Sequence, residues 1–461
     1  MAAPGGFFPS VLPAFLPVVS RDARESGLGL VTLRAPARAL ERFLAAPIAG
    51  EALVWDPPAP ECGAAPWSLA GRGIAARVEA NGPEALARVR ERAETVLDGL
   101  VERRDPGVWD APSPRFFGGA AFRSAEGADP VWDGFAGASF VLPRWLYGQR
   151  GDEAFLRVIV DARDLADEGR FAEEIEAVLA ALEGHGGLAD EAGAARVVDA
   201  TAPAAWSAFV GDALSAIERG ELEKVVAARR TRVLARGDFS LPGTISRLRA
   251  QGDAATRFAF QRGKGIFLGA TPERLVALCG DEVSCDALGG SLPRGAGDPE
   301  SLLRSAKDRR EHESVVRGIR GSLARFVREI DAPAEPRIRS LAAVHHLHTP
   351  VRARLIRPAH VLDLVGALHP TPAVCGLPRA RAAAFLAEHE GMTRGWYASP
   401  VGWFDLAGDG CFAVALRCAV LRGSEAWLFA GAGIVKGSDA DAEYRETAAK
   451  ARPMLAALGV A

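Results

Sequence analysis

Two periods of hydrophobic and polar positions alternate along this chain, and both meet in one stretch near its end. Trp427 to Val435 is an apolar run interrupted only by Gly431 and Gly433, which predicts a buried strand that another group approaches closely. After it, Ser438 suits a helix N-cap with Asp441 three residues on, while Glu443 and Glu446 share a face with Lys450 one turn beyond. The same signatures recur upstream. Apolar runs predict strands at Leu28 to Leu33, Phe116 to Phe122, Ala138 to Pro143, Lys224 to Val226, Phe267 to Thr271 and Phe412 to Arg417. A spacing near 3.6 predicts helices over Pro83 to Val101, Phe171 to Leu182, Trp206 to Arg219 and Leu302 to Ile319. The chain therefore reads as α/β (α+β). A Gly- and Ala-rich segment from His185 to Asp199 marks a soft boundary, with an N-terminal α+β part, 1–200, packing on a second part, 201–461, where candidate chemistry concentrates.

Composition acts mainly by exclusion. The 461 residues suffice for two or three ordinary domains or one large two-part enzyme. With 49% hydrophobic and 25% charged residues, neither disorder nor a coiled coil is indicated. A net charge of −3 with scattered Lys and Arg leaves no footprint for nucleic acid or a membrane surface, so small ligands, anions included, are the expected partners. The apolar N-terminus (Phe7, Phe8, Leu12 to Val19) is broken by Pro9, Pro13 and Pro17 and lacks a basic n-region, which argues against a secretory signal. No uncharged apolar run reaches the roughly 18 residues of a membrane span. Cys62, Cys279, Cys285, Cys375, Cys411 and Cys418 show no C-x-x-C spacing and read as core thiols of a cytoplasmic protein.

Several residues carry candidate chemistry. Glu443 and Glu446 make an oxygen-only face of the kind that suits Mg2+, which one or two carboxylates hold while water and an anionic substrate complete the shell. The same face also reads as a solvated surface with an i, i+4 Glu-Lys pair. Lys224 opens a strand and suits a solvated edge, unless a pocket desolvates it and lets a neutral amine act as a base. Glu273 ends the strand and turn Gly269-Ala-Thr-Pro-Glu, as a turn residue or a displayed acid. Gly289-Gly290-Ser291 form a second glycine turn suited to close backbone approach. Glu311-His312 lacks a second histidine at i+4, which sets zinc aside. On a strand, His346 would share a face with His348 and oppose His345, and all three suit a solvated strand end. Arg417, amid apolar neighbours, wants a carboxylate partner from protein or substrate.

Six motifs stand in order: Lys224-Val-Val; Gly269-Ala-Thr-Pro-Glu273; Lys307-Asp with Glu311-His312; His369-Pro-Thr-Pro-Ala373; Arg394-Gly-Trp-Tyr397 with Pro400-Val-Gly-Trp403; and Gly431-Ala-Gly-Ile-Val with Glu443 through Lys450. Each is weak alone; the ordered set is specific. On these residues the chain resembles the chorismate-utilising enzymes of the isochorismate synthase branch, from about Arg115 to the C-terminus and densely over 203–461. The resemblance implies large antiparallel sheets covered by helices around one active site, and a Mg2+-dependent isomerisation of chorismate. It implies Glu311 and Glu446 as metal ligands with Glu443 close by, and Arg417, Lys450 and the backbone of Gly431 and Gly433 on the substrate carboxylates. Tyr397, His346 and Ala373 would line the site, and Gly290 and Ser291 would approach the ligand. Lys224 would deprotonate a water, and Glu273 would protonate the hydroxyl departing across the ring.

Related branches make anthranilate, aminodeoxychorismate and salicylate. Anthranilate synthases typically carry glutamine at the place of Lys224, aminodeoxychorismate synthases a nucleophilic lysine at the place of Gly289, and pyruvate-eliminating enzymes threonine at the place of Ala373. The chain departs from the family pattern where Gly-Gly-Ser-Leu replaces the usual Ala-Gly-Thr-Arg, and Tyr397 occurs in synthases and lyases alike. Isochorismate release is the expectation, with salicylate synthase and a silent chorismate binder as alternatives. A monomer is the default expectation, and no glutaminase segment is read in the sequence, which fits a water-using enzyme acting alone; isochorismate serves menaquinone, siderophore and salicylate routes.

Overall fold

A computed structural model describes residues 19, 21–24, 27–58, 66–108, 110–123, 129–184, 193–252 and 255–460. The N-terminal apolar run before Val19, Cys62, and the start of the Gly/Ala-rich segment (185–192) lie outside the described residues. Among the described residues, hydrogen bonding joins 21 strands. Their pairings are antiparallel except that of Leu28–Arg34 with Leu100–Arg104.

The network forks at Ala138–Arg150. Ser68–Ala80 runs along one edge of this strand, while Arg115–Ala120 and Glu153–Asp161 divide the other. From the fork one sheet continues through Ala52–Asp56, Thr256–Arg262, Gly265–Thr271, Cys418–Arg422 and Glu425–Val435 to Lys224–Ala235. A second continues through Pro400–Asp405, Gly410–Val414, Arg274–Cys279 and Glu282–Pro293 to Val344–Leu355. Strands from before and after residue 200 thus pair in both sheets. Between them Trp396 is fully buried, with Phe135, Phe260 and Phe267 packed edge-on against it. Each large apolar side chain buried in this way contributes about 1.5–3 kcal/mol.

Among the passages of the chain between the sheets are two short crossovers. One links Gly265–Thr271 to Arg274–Cys279, and the other links Gly410–Val414 to Cys418–Arg422. They are stitched together: Ala270 N donates to the Arg417 carbonyl at 3.2 Å and Val414 N to the Glu273 carbonyl at 3.0 Å. Glu273 and Arg417 are therefore neighbours at the seam, although 144 positions separate them in sequence.

Helix Ala306–Leu323 packs on Glu282–Pro293, and helix Ala440–Ala457 packs on Glu425–Val435. Among the described residues no helix is long and apolar enough to cross a membrane. Four local expectations are corrected. The stretch read as one helix from Leu302 is two, Ser301–Arg304 and Ala306–Leu323, because Ser305 leaves helical geometry to cap the second, its Oγ accepting from Asp308 N. The last helix is capped by Asp439, which accepts from Ala442 N at 2.8 Å, whereas Ser438 accepts from Val435 N. The second glycine turn is a bulge within a strand: pairing with Val344–Leu355 shifts between Gly289 and Ser291, and Gly290 takes a φ of 64°. Arg417 lies beyond its strand, with a φ of 51°.

Candidate active site

At the seam the two sheets and two helices enclose a cavity. Glu273 and Arg417 reach it from the crossovers, Gly290 and Ser291 from the bulge, His346 from the adjacent strand, and Gly431 and Gly433 from Glu425–Val435. Ala373, Tyr397, Glu311 and Lys450 complete its wall. Of the residues that the resemblance placed in the site, Lys224, Glu443 and Glu446 are not on that wall.

Lys224 is no solvated edge residue. It is 2% exposed, and its Nζ donates to Glu311 Oε1 at 3.0 Å. The pair lies directly beneath Gly433, where a Cβ would come within 2.6 Å of the same Oε1 and 3.0 Å of Lys224 Cε. Burial raises the pKa of Glu311, but Lys224, Lys450 and Lys307 more than offset it and hold the carboxyl below its ordinary range.

Two further lysines interleave with the acids of the two helices. Lys307 Nζ donates to Glu443 at 2.8 Å, and Lys450 bonds Glu446 at 2.6 Å and the Gly431 carbonyl at 3.0 Å. Burial raises the pKa of Glu443, and Glu446 adds to the rise. Asp308 is likewise raised by burial, with Glu311 and Glu446 contributing. This crowding of carboxylates fits an oxygen-liganded cation, because a divalent ion would relieve the repulsion that these shifts record. Among the described residues no three acids, histidines or cysteines converge on a single point; each glutamate meets a lysine instead.

Glu273 is 4% exposed. Burial pushes its pKa up to about 8, with Asp286 adding to the rise and Lys224 and Lys450 opposing it. It is therefore a neutral carboxylic acid at pH 7. Asp286 stays ionised: burial raises its pKa, but His348 at 2.8 Å and Arg339 at 3.5 Å outweigh burial.

Arg417 does not find the carboxylate that its sequence context called for. Its Nη2 donates to His346 Nε2 at 3.0 Å, and among the described residues no carboxylate is within ion-pair distance. The histidine is buried rather than solvated, and burial together with Arg417 and Lys450 keeps its pKa well below 6.5. Its Nδ1 lies 3.1 Å from both the Gly290 carbonyl and Ser291 Oγ. The neutral tautomer with hydrogen on Nδ1 meets these contacts and leaves Nε2 to accept from Arg417. Burial lowers the pKa of the guanidinium to about 10, with Glu446 opposing the shift, so it stays charged at neutral pH and faces the cavity. Tyr397 stacks on Phe429 with ring centroids 5.2 Å apart, and burial raises its phenol pKa, keeping it neutral.

Sequence reasoning missed the framework behind the wall. Arg394 entered only as part of a motif, yet it is fully buried and ion-paired with Glu390 at 2.5 Å. It donates to the carbonyls of Val374 and Val226 at 2.8 Å each. The signal was an i, i+4 acid-base pair abutting an apolar run. Ala398, also on the wall, takes a left-handed φ of 60°, which nothing in its residue type announces.

Known proteins resemble this chain over most of its length. The salicylate biosynthesis isochorismate synthase of Pseudomonas aeruginosa is 38% identical over 404 residues, covering 84% of this chain and 82% of that protein. The isochorismate synthase MenF of Bacillus subtilis is 33% identical over 371 residues, covering 76% and 75%. Among solved structures, the menaquinone-specific isochorismate synthase MenF from Escherichia coli matches with a TM-score of 0.77 at 24% identity, over 98% of this chain and 100% of that one. Anthranilate synthase component I from Streptococcus pneumoniae matches with 0.67 at 20%, over 86% and 93%. Both share the α+β fold of antiparallel sheets expected here. Because the description "chorismate binding enzyme" matches residues 36–459, spanning both sheets and every residue of the cavity, the chain belongs to the chorismate-binding enzyme family.

Proposed function

We infer that the protein is an isochorismate synthase, an isomerase that converts chorismate to isochorismate. One observation carries the reading at the level of chemistry: a buried glutamic acid whose pKa is pushed up to about 8, Glu273, lines the cavity, and a buried lysine, Lys224, stands behind its wall, paired with the wall residue Glu311. Relatives bearing that name, 33–38% identical over most of the chain, support it.

In the proposed reaction water attacks one ring carbon and its proton passes to neutral Lys224. As the new C–O bond forms, the ring double bonds shift and the hydroxyl across the ring departs, taking a proton from Glu273 and leaving as water. Burial fits Glu273 for this role, because an ordinary carboxyl would be ionised at pH 7 and unable to donate. In the structure Lys224 is ion-paired with Glu311, so its base form requires the charge of Glu311 to be engaged elsewhere. Arg417, lacking a carboxylate of its own and oriented by neutral His346, would receive a substrate carboxylate, with Lys450 alongside. Glu311 and Glu446 would hold Mg2+ with Glu443 close by; when bound, the ion would neutralise these acids and chelate a substrate carboxylate. Ala373 offers no hydroxyl toward the bound product, which favours its release as isochorismate.

The test is incubation of the purified protein with chorismate and Mg2+, without ammonia or a second subunit, and chromatography of the products beside Lys224→Ala. Isochorismate without pyruvate, lost in the variant, is the expected result. Salicylate with pyruvate would move the protein to the lyase branch, and no turnover would leave a chorismate binder.

A further inference from the structure

Lys224 is absent from the wall of the substrate cavity but lines a second one. This second cavity, of about 250 Å³, is bounded by Lys224, Lys307, Glu311, Ser314 and Val435, among others. Glu311 borders both spaces, so the Lys224–Glu311 pair is the partition between them. We propose that the second cavity is the water port of the reaction, through which the attacking water reaches the base without passing through the substrate cavity.

Three observations support the assignment, which rests on the isochorismate synthase reading. The first is stoichiometry. Each turnover consumes one water at Lys224 and releases another at Glu273 across the ring, so supply and discharge occur on opposite faces of a substrate that blocks the way between them. The second is space. The substrate cavity holds about 80 Å³ of free volume, little enough for a bound ring to fill, against about 250 Å³ behind the partition. A water needs only about 10–15 Å³ of such volume, together with two to four polar partners. The third is the lining. Lys307, Ser314 and Glu313 supply polar atoms, and the Arg317–Glu223 ion pair also on its wall has side chains 67% and 64% exposed, which puts this cavity in contact with solvent. An exposed pair of this kind is held weakly and presents little barrier to water.

The experiment fills the port at residues that are not themselves proposed catalytic or binding groups, although the Ser314 hydroxyl donates to the Glu311 carbonyl and Val435 pairs with Lys224 through the backbone. Val435→Trp and Ser314→Leu each place bulk in the second cavity. The readouts are kcat, the chorismate Kd by calorimetry with Mg2+, and thermal unfolding. Expected is a fall in kcat of about tenfold or more with Kd changed less than about twofold, the pattern of a group needed for the chemical step alone. Unchanged kcat in both folded variants would overturn the proposal. A parallel loss of kcat and affinity would overturn it too, since the cavity would then be part of the substrate's own path. If either variant fails to fold, the wild-type enzyme crystallised with isochorismate decides: ordered water on the second-cavity side within hydrogen-bond reach of Lys224 Nζ supports the port, and a dry cavity there overturns it. Absence of isochorismate formation by the wild type would instead refute the functional reading on which the port depends.

Discussion

Lys224 and Glu311 meet at 3.0 Å in the space left by a missing side chain, that of Gly433. A Cβ at 433 would sit 2.6 Å from Glu311 Oε1, closer than real contacts allow, and the atom that must yield is the end of a flexible side chain. Gly433→Ala should therefore leave the fold intact, shifting stability by about 1–2 kcal/mol at most. It should displace the Glu311 carboxylate from Lys224 and lower kcat by about tenfold to a hundredfold. Steady-state kinetics beside a thermal melt check this; an unaltered kcat would show that the pair's geometry is immaterial to turnover.

Glu273 links activity and stability to pH in the same direction. Its folded pKa of about 8 lies above the ordinary value of 4.5, so as an acid it is competent below pH 8, and kcat/KM should fall as pH rises through that value. For stability, both folded and unfolded states bind the proton below pH 4.5. Between 4.5 and about 8 only the folded state does, so the group's contribution is progressively lost as pH rises across that window. Glu273→Gln, which cannot ionise, should abolish turnover yet melt higher than wild type at pH 7 to 8, with the gap closing toward pH 4.5. A melt difference independent of pH would contradict the shifted pKa.

The proposed cation site predicts joint effects on metal and substrate. Chelation should abolish turnover and Mg2+ should restore it. Glu311→Ala should weaken both Mg2+ and chorismate by more than about tenfold, since even groups that merely support a metal ligand cost 10–100-fold when removed. Calorimetric titration of Mg2+ into both proteins gives a readout separate from activity. An unchanged Mg2+ requirement in Glu311→Ala would remove that residue from the site.

Ala373 governs the fate of the product in this reading. Ala373→Thr places a hydroxyl on the cavity wall, and pyruvate should then appear alongside isochorismate, detectable by a coupled lactate dehydrogenase assay. If the variant forms isochorismate as before and no pyruvate, position 373 does not select between release and elimination.

How far these features were legible in the sequence depended on the range of the interaction. Strand Glu425–Val435 and the helix after it were readable because the hydrophobic period and the cap are local signals. Even so, Asp439 took the cap, since Ser438 was drawn to Val435 N. Lys224 looked like an edge lysine because nothing near it in the chain reveals a carboxylate 87 positions away. Arg417 was expected to need an anion, and that expectation gained force when its protein partner proved to be a neutral histidine. Neither the fork at Ala138–Arg150 nor the second cavity has a local signature, since both arise only when distant strands and helices pack.

The pair of Arg394 and Glu390 provides a test of that packing. Both side chains are 1% exposed, and removing one partner strands a buried charge, which costs about 3–5 kcal/mol. Glu390→Gln should therefore lower the unfolding temperature by several degrees. Replacing both residues with apolar ones of similar volume, Glu390→Leu with Arg394→Met, removes the buried charges and should recover part of the loss. Recovery should be incomplete, because Arg394 also satisfies the carbonyls of Val374 and Val226, and each buried acceptor left unpaired costs about 1–3 kcal/mol. Val374 and Val226 both line the substrate cavity, so the double variant should also raise the KM for chorismate at a temperature where it remains folded. A double variant with wild-type stability and KM would mean that the guanidinium's carbonyl contacts neither stabilise the fold nor shape the cavity.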